Sequence, residues 1–120
     1  MILLTGASGF FGKMIVESFS QNKIKVTTVG RKHENDICCD LSKESPSLGS
    51  SKYNTVIHAA GKAHSIPKNK EENKQFFDIN VKGTQNLLNS LQISGLPKNF
   101  VFISSVAVYG LVYGDKIIET

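Results

Sequence analysis

Three glycines, each three positions from the next, give this chain its clearest chemical signal: Thr5-Gly6-Ala7-Ser8-Gly9-Phe10-Phe11-Gly12. The apolar run Met1 to Leu4 leads into them, and an amphipathic pattern follows. A strand that turns sharply into a helix presents the helix's first unpaired N–H groups to an anion. The positive end of the helix dipole stands behind them. A dinucleotide pyrophosphate needs this arrangement. Gly6 would let the chain turn, Gly9 would let the backbone approach the phosphates, and Gly12 would let the helix pack on the sheet. Turns use glycine everywhere, so it is the strand–turn–helix context that carries the reading. Phe10 and Phe11 read as backbone donors with side chains in the core.

A second informative point follows the second β-branched run. Enzymes of this type that use NAD place a carboxylate there, which accepts hydrogen bonds from the ribose 2′-OH. This chain has Gly30, then Arg31, Lys32 and His33. A guanidinium matches a 2′-phosphate bidentately, so Arg31 favours NADP(H). An exposed loop arginine is also ordinary. His58 ends an apolar strand and reads as a satisfied core histidine, and His64 lies in a loop.

The elements that must position these residues follow from hydrophobic period. Met1–Leu4, Lys25–Val29, Asp36–Cys39, Thr55–His58 and Phe100–Ile103 read as strands. Phe11, Met14, Ile15, Ser18 and Phe19 fall on one face of a helix, as do Phe77, Val81, Thr84, Leu88 and Leu91. Gly95 and Pro97 mark the second helix's end. Leu41 to Tyr53 reads as loop with at most a short helix. Strands alternating with helices predict an α/β fold: a doubly wound parallel sheet of about five strands with helices on both faces.

Composition narrows the classes. With 120 residues the chain is one domain, and 40% hydrophobic residues allow a core. The formal charge of +4 is scattered, with no basic stripe interleaved with aromatics, so a small anionic ligand fits better than nucleic acid. Cys38 and Cys39 are adjacent and point to opposite faces of a strand, which rules out an ordinary intrachain disulfide. No metal-ligand spacing is present. The apolar start is too short for a signal peptide or membrane span. The expectation is a cytoplasmic protein with reduced thiols.

Four segments, in order, resemble the extended branch of the short-chain dehydrogenase/reductase superfamily, the NAD(P)-dependent nucleotide-sugar epimerases and dehydratases. They are Thr5 to Gly12; Asp40-Leu41; Val56-Ile57-His58-Ala59-Ala60-Gly61; and the pair Asn80 to Leu88 and Ile103 to Gly110. The resemblance covers nearly the whole chain but only the first part of a family member. It implies a Rossmann-like domain over 1–120 that is truncated, without the C-terminal substrate region. It also implies that Asp40 and Leu41 hold the adenine, although a turn or N-cap aspartate is an equal reading of Asp40. Ala59, Ala60 and Gly61 would keep the fourth strand's end open for the cofactor. Asn80 would be a site asparagine that holds a backbone distortion or a water, against a plain solvent-facing residue. Ser105 would hydrogen-bond the reacting sugar oxygen, with Ser104 beside it. For an epimerase the resemblance favours NAD, against the Arg31 argument.

Hydride chemistry in this family uses a tyrosine with a lysine four positions on, because a phenol of pKa about 10 must be shifted down to act at neutral pH. Tyr113 and Lys116 are three apart, and Tyr109 has Tyr113 at the lysine's place. The chain therefore reads as the cofactor-binding part of an epimerase or dehydratase. An NADPH-dependent reductase of the same superfamily and a non-catalytic NAD(P)-binding module stand as alternatives. The expected partners are the dinucleotide, a nucleotide-sugar in the full-length enzyme, and a second copy of the chain. Self-association follows from an uncovered fifth-strand edge and the apolar tail Val108 to Tyr113.

Overall fold

Helical connections follow β1 and β4, and such connections return the chain to the same end of the sheet, which gives parallel pairing. The computed structural model describes residues 1–61 and 68–103. Its elements are β1 (Ile2–Thr5), α1 (Phe10–Gln21), β2 (Thr27–Gly30), β3 (Ile37–Cys38), β4 (Thr55–His58), α2 (Lys70–Phe77), α3 (Gly83–Ser94) and β5 (Asn99–Phe102). A π-helical turn, Asp78–Lys82, joins α2 to α3. The strand order is β3-β2-β1-β4-β5, all parallel. This is the doubly wound order, with its reversal between β1 and β4. In register, Thr5 stands opposite both Val29 and His58, and His58 opposite Phe102, so four strands end level at one edge.

All five expected strands are present, with shifted ends. Gly30 does not stop β2 but closes it, opposite Cys38. Asp36 extends the β2–β3 pairing with its side chain instead of its backbone. Its Oδ2 accepts from the Thr28 N–H at 2.9 Å, and its own N–H donates to Thr28 Oγ1 at 3.0 Å.

Both helices turn a different face to the sheet from the one that apolar spacing suggests. On α1, Phe11 and Met14 are 47% and 54% exposed, Gly12 is buried, and Ile15, Val16 and Phe19 are half-buried. The cause is steric. A Cβ on Gly12 would lie 1.9 Å from the Gly6 carbonyl oxygen, so Gly12 is the contact point and fixes the helix's rotation. Phe10, expected in the core, is 84% exposed for the same reason.

The second helix begins at Lys70, earlier than its apolar stripe. Asn69 caps it by accepting from the Glu72 N–H at 2.8 Å, while Glu72 accepts from the Lys68 N–H at 2.7 Å, a reciprocal arrangement close to a capping box. Farther on, the π turn adds a residue's rotation between α2 and α3. The stripe counted from Phe77 therefore runs out of phase. Phe77 and Val81 are exposed, and Gly83, Leu87, Ser90 and Leu91 are buried.

One core unites the centre of the sheet with α3 and the long connection before β4. It contains Leu3, Val29 and Val56 from the strands, Leu87 and Leu91 from α3, and Cys39, Leu41, Leu48 and Tyr53 from the connection. That connection has neither helix nor strand between Leu41 and Tyr53, as expected. It is held down by α3. Asn86 Nδ2 donates to the Leu41 carbonyl and Ser90 Oγ to the Pro46 carbonyl, both at 2.6 Å. Leu87 is fully buried where these layers meet. Leu87→Ala is expected to cost about 2–5 kcal/mol in urea unfolding, as cavity-forming substitutions do; a loss below 1 kcal/mol would show that α3 is not packed this way.

Candidate functional site

The level strand ends bring the glycine turn, the start of α1, the Ala59–Gly61 segment and the π turn to one edge. Gly6 has φ +78°, and a Cβ there would stand 2.5 Å from the Ala60 nitrogen and 2.6 Å from the Ala59 carbonyl carbon. The turn after β1 and the segment after β4 thus touch backbone to backbone. Gly9 is different. It is exposed, its φ of −75° suits any residue, and a Cβ would meet only the Gly6 carbonyl, at an ordinary 3.4 Å. Among the described residues, nothing in the packing requires glycine at this position. Gly9 is also the N-cap of α1, without a side-chain cap, and the helix's first turn holds no acidic residue. The edge is therefore suited to an external anion.

Beneath this edge lies a buried chain of hydrogen bonds centred on His58, which is 1% exposed. The Ala60 N–H donates to Thr5 Oγ1 at 3.1 Å, and Thr5 Oγ1 lies 2.6 Å from His58 Nδ1. His58 Nε2 lies 2.8 Å from Thr84 Oγ1, which donates to the Asn80 carbonyl at 2.7 Å. The directions are determined. A carbonyl can only accept, so Thr84 uses its proton on Asn80 and must accept from Nε2–H. Nδ1 is then bare and accepts from the Thr5 hydroxyl. Desolvation moves the imidazole's pKa from 6.5 to about 4, so it is neutral at physiological pH. Phe100 and Phe102 lie beside the ring, with centroids 6.3 and 5.7 Å away. His58 is thus a satisfied core histidine, as expected from its strand.

Asn80 lies inside the π turn, where the Gly83 N–H reaches back to the Asp78 carbonyl, and π turns recur at functional sites. Its Oδ1 stands 3.1 Å from where a Gly61 Cβ would be, which places it against the segment after β4. Thr84, counted in the sequence only as part of an apolar stripe, is the partner that sequence reasoning missed. A hydroxyl four residues after Asn80, able to reach back to a helix carbonyl, was the available signal.

Across the edge, Arg31 is exposed just past β2, and its carbonyl accepts from the Cys38 thiol at 3.2 Å. Asp40 Oδ1 accepts from the Ser42 hydroxyl at 2.6 Å and from the Ser42 N–H at 3.0 Å. The Ser42 hydroxyl bond is the largest influence holding its carboxyl below the usual range, with a smaller contribution from Arg31's charge. Asp40 thus closes a turn through Oδ1. Leu41 is packed in the core, with its carbonyl committed to Asn86. Ser104 and Ser105 lie outside the described residues, as do His64, Tyr109, Tyr113 and Lys116. Among the described residues no three His, Cys, Asp or Glu side chains group as metal ligands, and no helix is long and apolar enough to cross a membrane.

The neutral, buried His58 has a consequence for stability. Its folded pKa lies below its unfolded value, so between pH 6.5 and about 4 the unfolded chain binds the extra proton and stability falls as pH falls. The expected loss across that window is about 3 kcal/mol, from a shift of two to three pK units at about 1.4 kcal/mol each. Urea unfolding at a series of pH values checks this, and a His58→Gln variant should show a flatter profile. An equal slope in both proteins would contradict it.

Comparison with known proteins gives this edge its relatives. The model of the NAD dependent epimerase/dehydratase family matches residues 2–120. The GDP-6-deoxy-D-mannose reductase of Pseudomonas aeruginosa is 32% identical over 116 residues, covering 92% of this chain and 36% of that protein. The UDP-glucose 4-epimerase of Vibrio cholerae is 30% identical over 121 residues, covering 91% of this chain and 36% of that protein. Among solved structures, MoeE5 in complex with UDP-glucose and NAD superposes with a TM-score of 0.72 at 28% identity, covering 91% of this chain and 38% of the other. The chain spans little more than a third of the length of these relatives. Matched from its first strand to Thr120, this chain belongs to the NAD dependent epimerase/dehydratase family.

Proposed function

We propose that the level strand ends bind a nicotinamide dinucleotide, as the cofactor-binding part of a nucleotide-sugar epimerase or dehydratase. The observation that carries this is Gly9, a glycine that packing among the described residues does not require, at the uncapped start of α1. A phosphate approaching closely there supplies the reason that the protein does not. Family membership and the NAD and UDP-glucose named with MoeE5 support the same ligand classes.

Each residue then has a task. The N–H groups of Phe10, Phe11 and Gly12 face the pyrophosphate. Gly6 and Gly12 hold the turn that aims them, and Ala59, Ala60 and Gly61 leave room beside β4. Arg31 faces the adenosine ribose and favours a 2′-phosphate, hence NADP(H). Asp40 accepts from the adenine amine, with Leu41 fixing the turn from the core. Ser105 orients the reacting sugar oxygen, Asn80 holds the backbone distortion or a water near it, and Ser104 borders the cofactor. When bound, the nicotinamide supplies a hydride acceptor and donor for a sugar carbon. No tyrosine among the 120 residues has a lysine four positions on, so these residues bind and orient but do not complete the turnover. A reductase is the second reading, favoured by Arg31 and by the reductase relative. The exposed β5 at the sheet's edge supports association with a second copy.

Titration calorimetry with NADP+ and NAD+ tests this reading. The chain should bind both, with NADP+ tighter. Gly9→Val should weaken both about tenfold or more without lowering the thermal midpoint, the loss expected when backbone donors can no longer reach a phosphate. Arg31→Asp should reverse the preference by removing a charge-assisted pair worth about 1.5–3 kcal/mol. Tighter NAD+ binding by the unaltered chain would overturn the Arg31 assignment. Binding of neither cofactor would overturn the whole reading.

A further inference from the structure

The hydrogen-bond chain through His58 runs from the Ala60 N–H to the Asn80 carbonyl. Thr5 immediately precedes Gly6, where the phosphate-facing turn begins. Its hydroxyl holds the Ala60 N–H, and Ala60 is the backbone that lies against Gly6. From Thr5 the chain runs through His58 to Thr84 and the Asn80 carbonyl. The Asn80 side-chain oxygen stands close to Gly61, next to Ala60. The chain of hydrogen bonds therefore joins three separate parts of the edge: the end of β1, the segment after β4, and the π turn.

Each hydroxyl in this chain has one proton, and each proton has one assigned acceptor. Neither threonine can reorient without leaving a buried group unpaired. The Thr84 hydroxyl holds the Asn80 carbonyl inside the π turn. A displacement of the Gly6–Gly9 turn therefore moves Thr5 and Ala60 first, and the imidazole transmits it to the π turn.

We propose that His58 and Thr84 are positioning residues that make the phosphate-facing turn and the π turn one unit, so that dinucleotide binding beside Gly9 sets the placement of Asn80. This rests on the dinucleotide reading above. Neither residue touches the ligand in this account: His58 is buried, and Thr84 acts on Asn80 from beneath.

A double-mutant cycle on NADP+ affinity, with NMR of the unaltered 120-residue chain, tests the proposal. Thr84→Val should weaken binding about tenfold, the coupling of one connected network, and Thr84→Ser, which keeps the hydroxyl, should restore it to within about twofold. Thr5→Val combined with Thr84→Val should bind no worse than Thr5→Val alone, because the first break already disconnects the unit. In the unaltered chain, the imidazole nitrogens should show a protonated Nε2 and an accepting Nδ1. Both His58 and the Asn80 side-chain amide should shift as NADP+ is added.

Losses that multiply, a Thr84→Val affinity equal to the unaltered chain's, or a serine that does not rescue would each overturn the coupling. So would His58 and Asn80 signals that stay fixed at saturation, a readout that holds even if a variant fails to fold. Binding of neither dinucleotide by the unaltered chain would remove the reading beneath the proposal and the proposal with it. That outcome is distinct from tight binding with fixed signals, which removes the proposal alone.

Discussion

A neutral imidazole with both nitrogens engaged is the constraint on which the rest of this edge depends. His58 is taken out of water at the end of a central strand, where an unpaired nitrogen would cost more than a hydrogen bond returns. The two threonines remove that cost, one from β1 and one from α3. The ring can then stand under the site without carrying charge. A phenylalanine here would avoid the desolvation but would leave both hydroxyls with a lost partner. The polar core at this point specifies one arrangement of three elements, where an apolar one would tolerate several.

Glycine does different work at different places along the same edge. Gly6 and Gly12 are required by the protein itself, because a Cβ on either would collide with backbone. Gly9 has room among the described residues, which leaves space for a ligand on the proposed reading. The contact at Gly12 also accounts for the exposure of Phe10 and Phe11. Once Gly12 fixes the rotation of α1, the two residues before it face outward.

The sequence made the parallel sheet and its strands legible, because apolar runs ended by small residues mark buried strands whatever surrounds them. The site's glycines and the Ala59–Gly61 segment were legible through their order and spacing. The helix faces were not. Apolar spacing chose Phe11 and Met14 on α1, while a backbone contact at Gly12 decided the matter. Spacing likewise assumed a regular helix from Phe77 to Leu91, and the π turn shifted the phase by a residue. A turn bond at Asp40 was one of two readings open in the sequence, and Ser42, two residues on, supplies it through Oδ1. Thr84 was hidden because its partners lie on another strand and inside a distorted turn, neither of which a local pattern records.

The central claim is that the carboxyl ends of the strands hold the dinucleotide. The most direct measurement is amide chemical-shift mapping of the chain during titration with NADP+. Large shifts are expected at Gly6 to Gly12, Arg31, Asp40 and Ala59 to Gly61. None are expected at the opposite ends of the strands, where Met1, Lys25 and Asp36 line a separate cleft of about 310 Å³. Shifts confined to that cleft, or none at saturating cofactor, would contradict the claim.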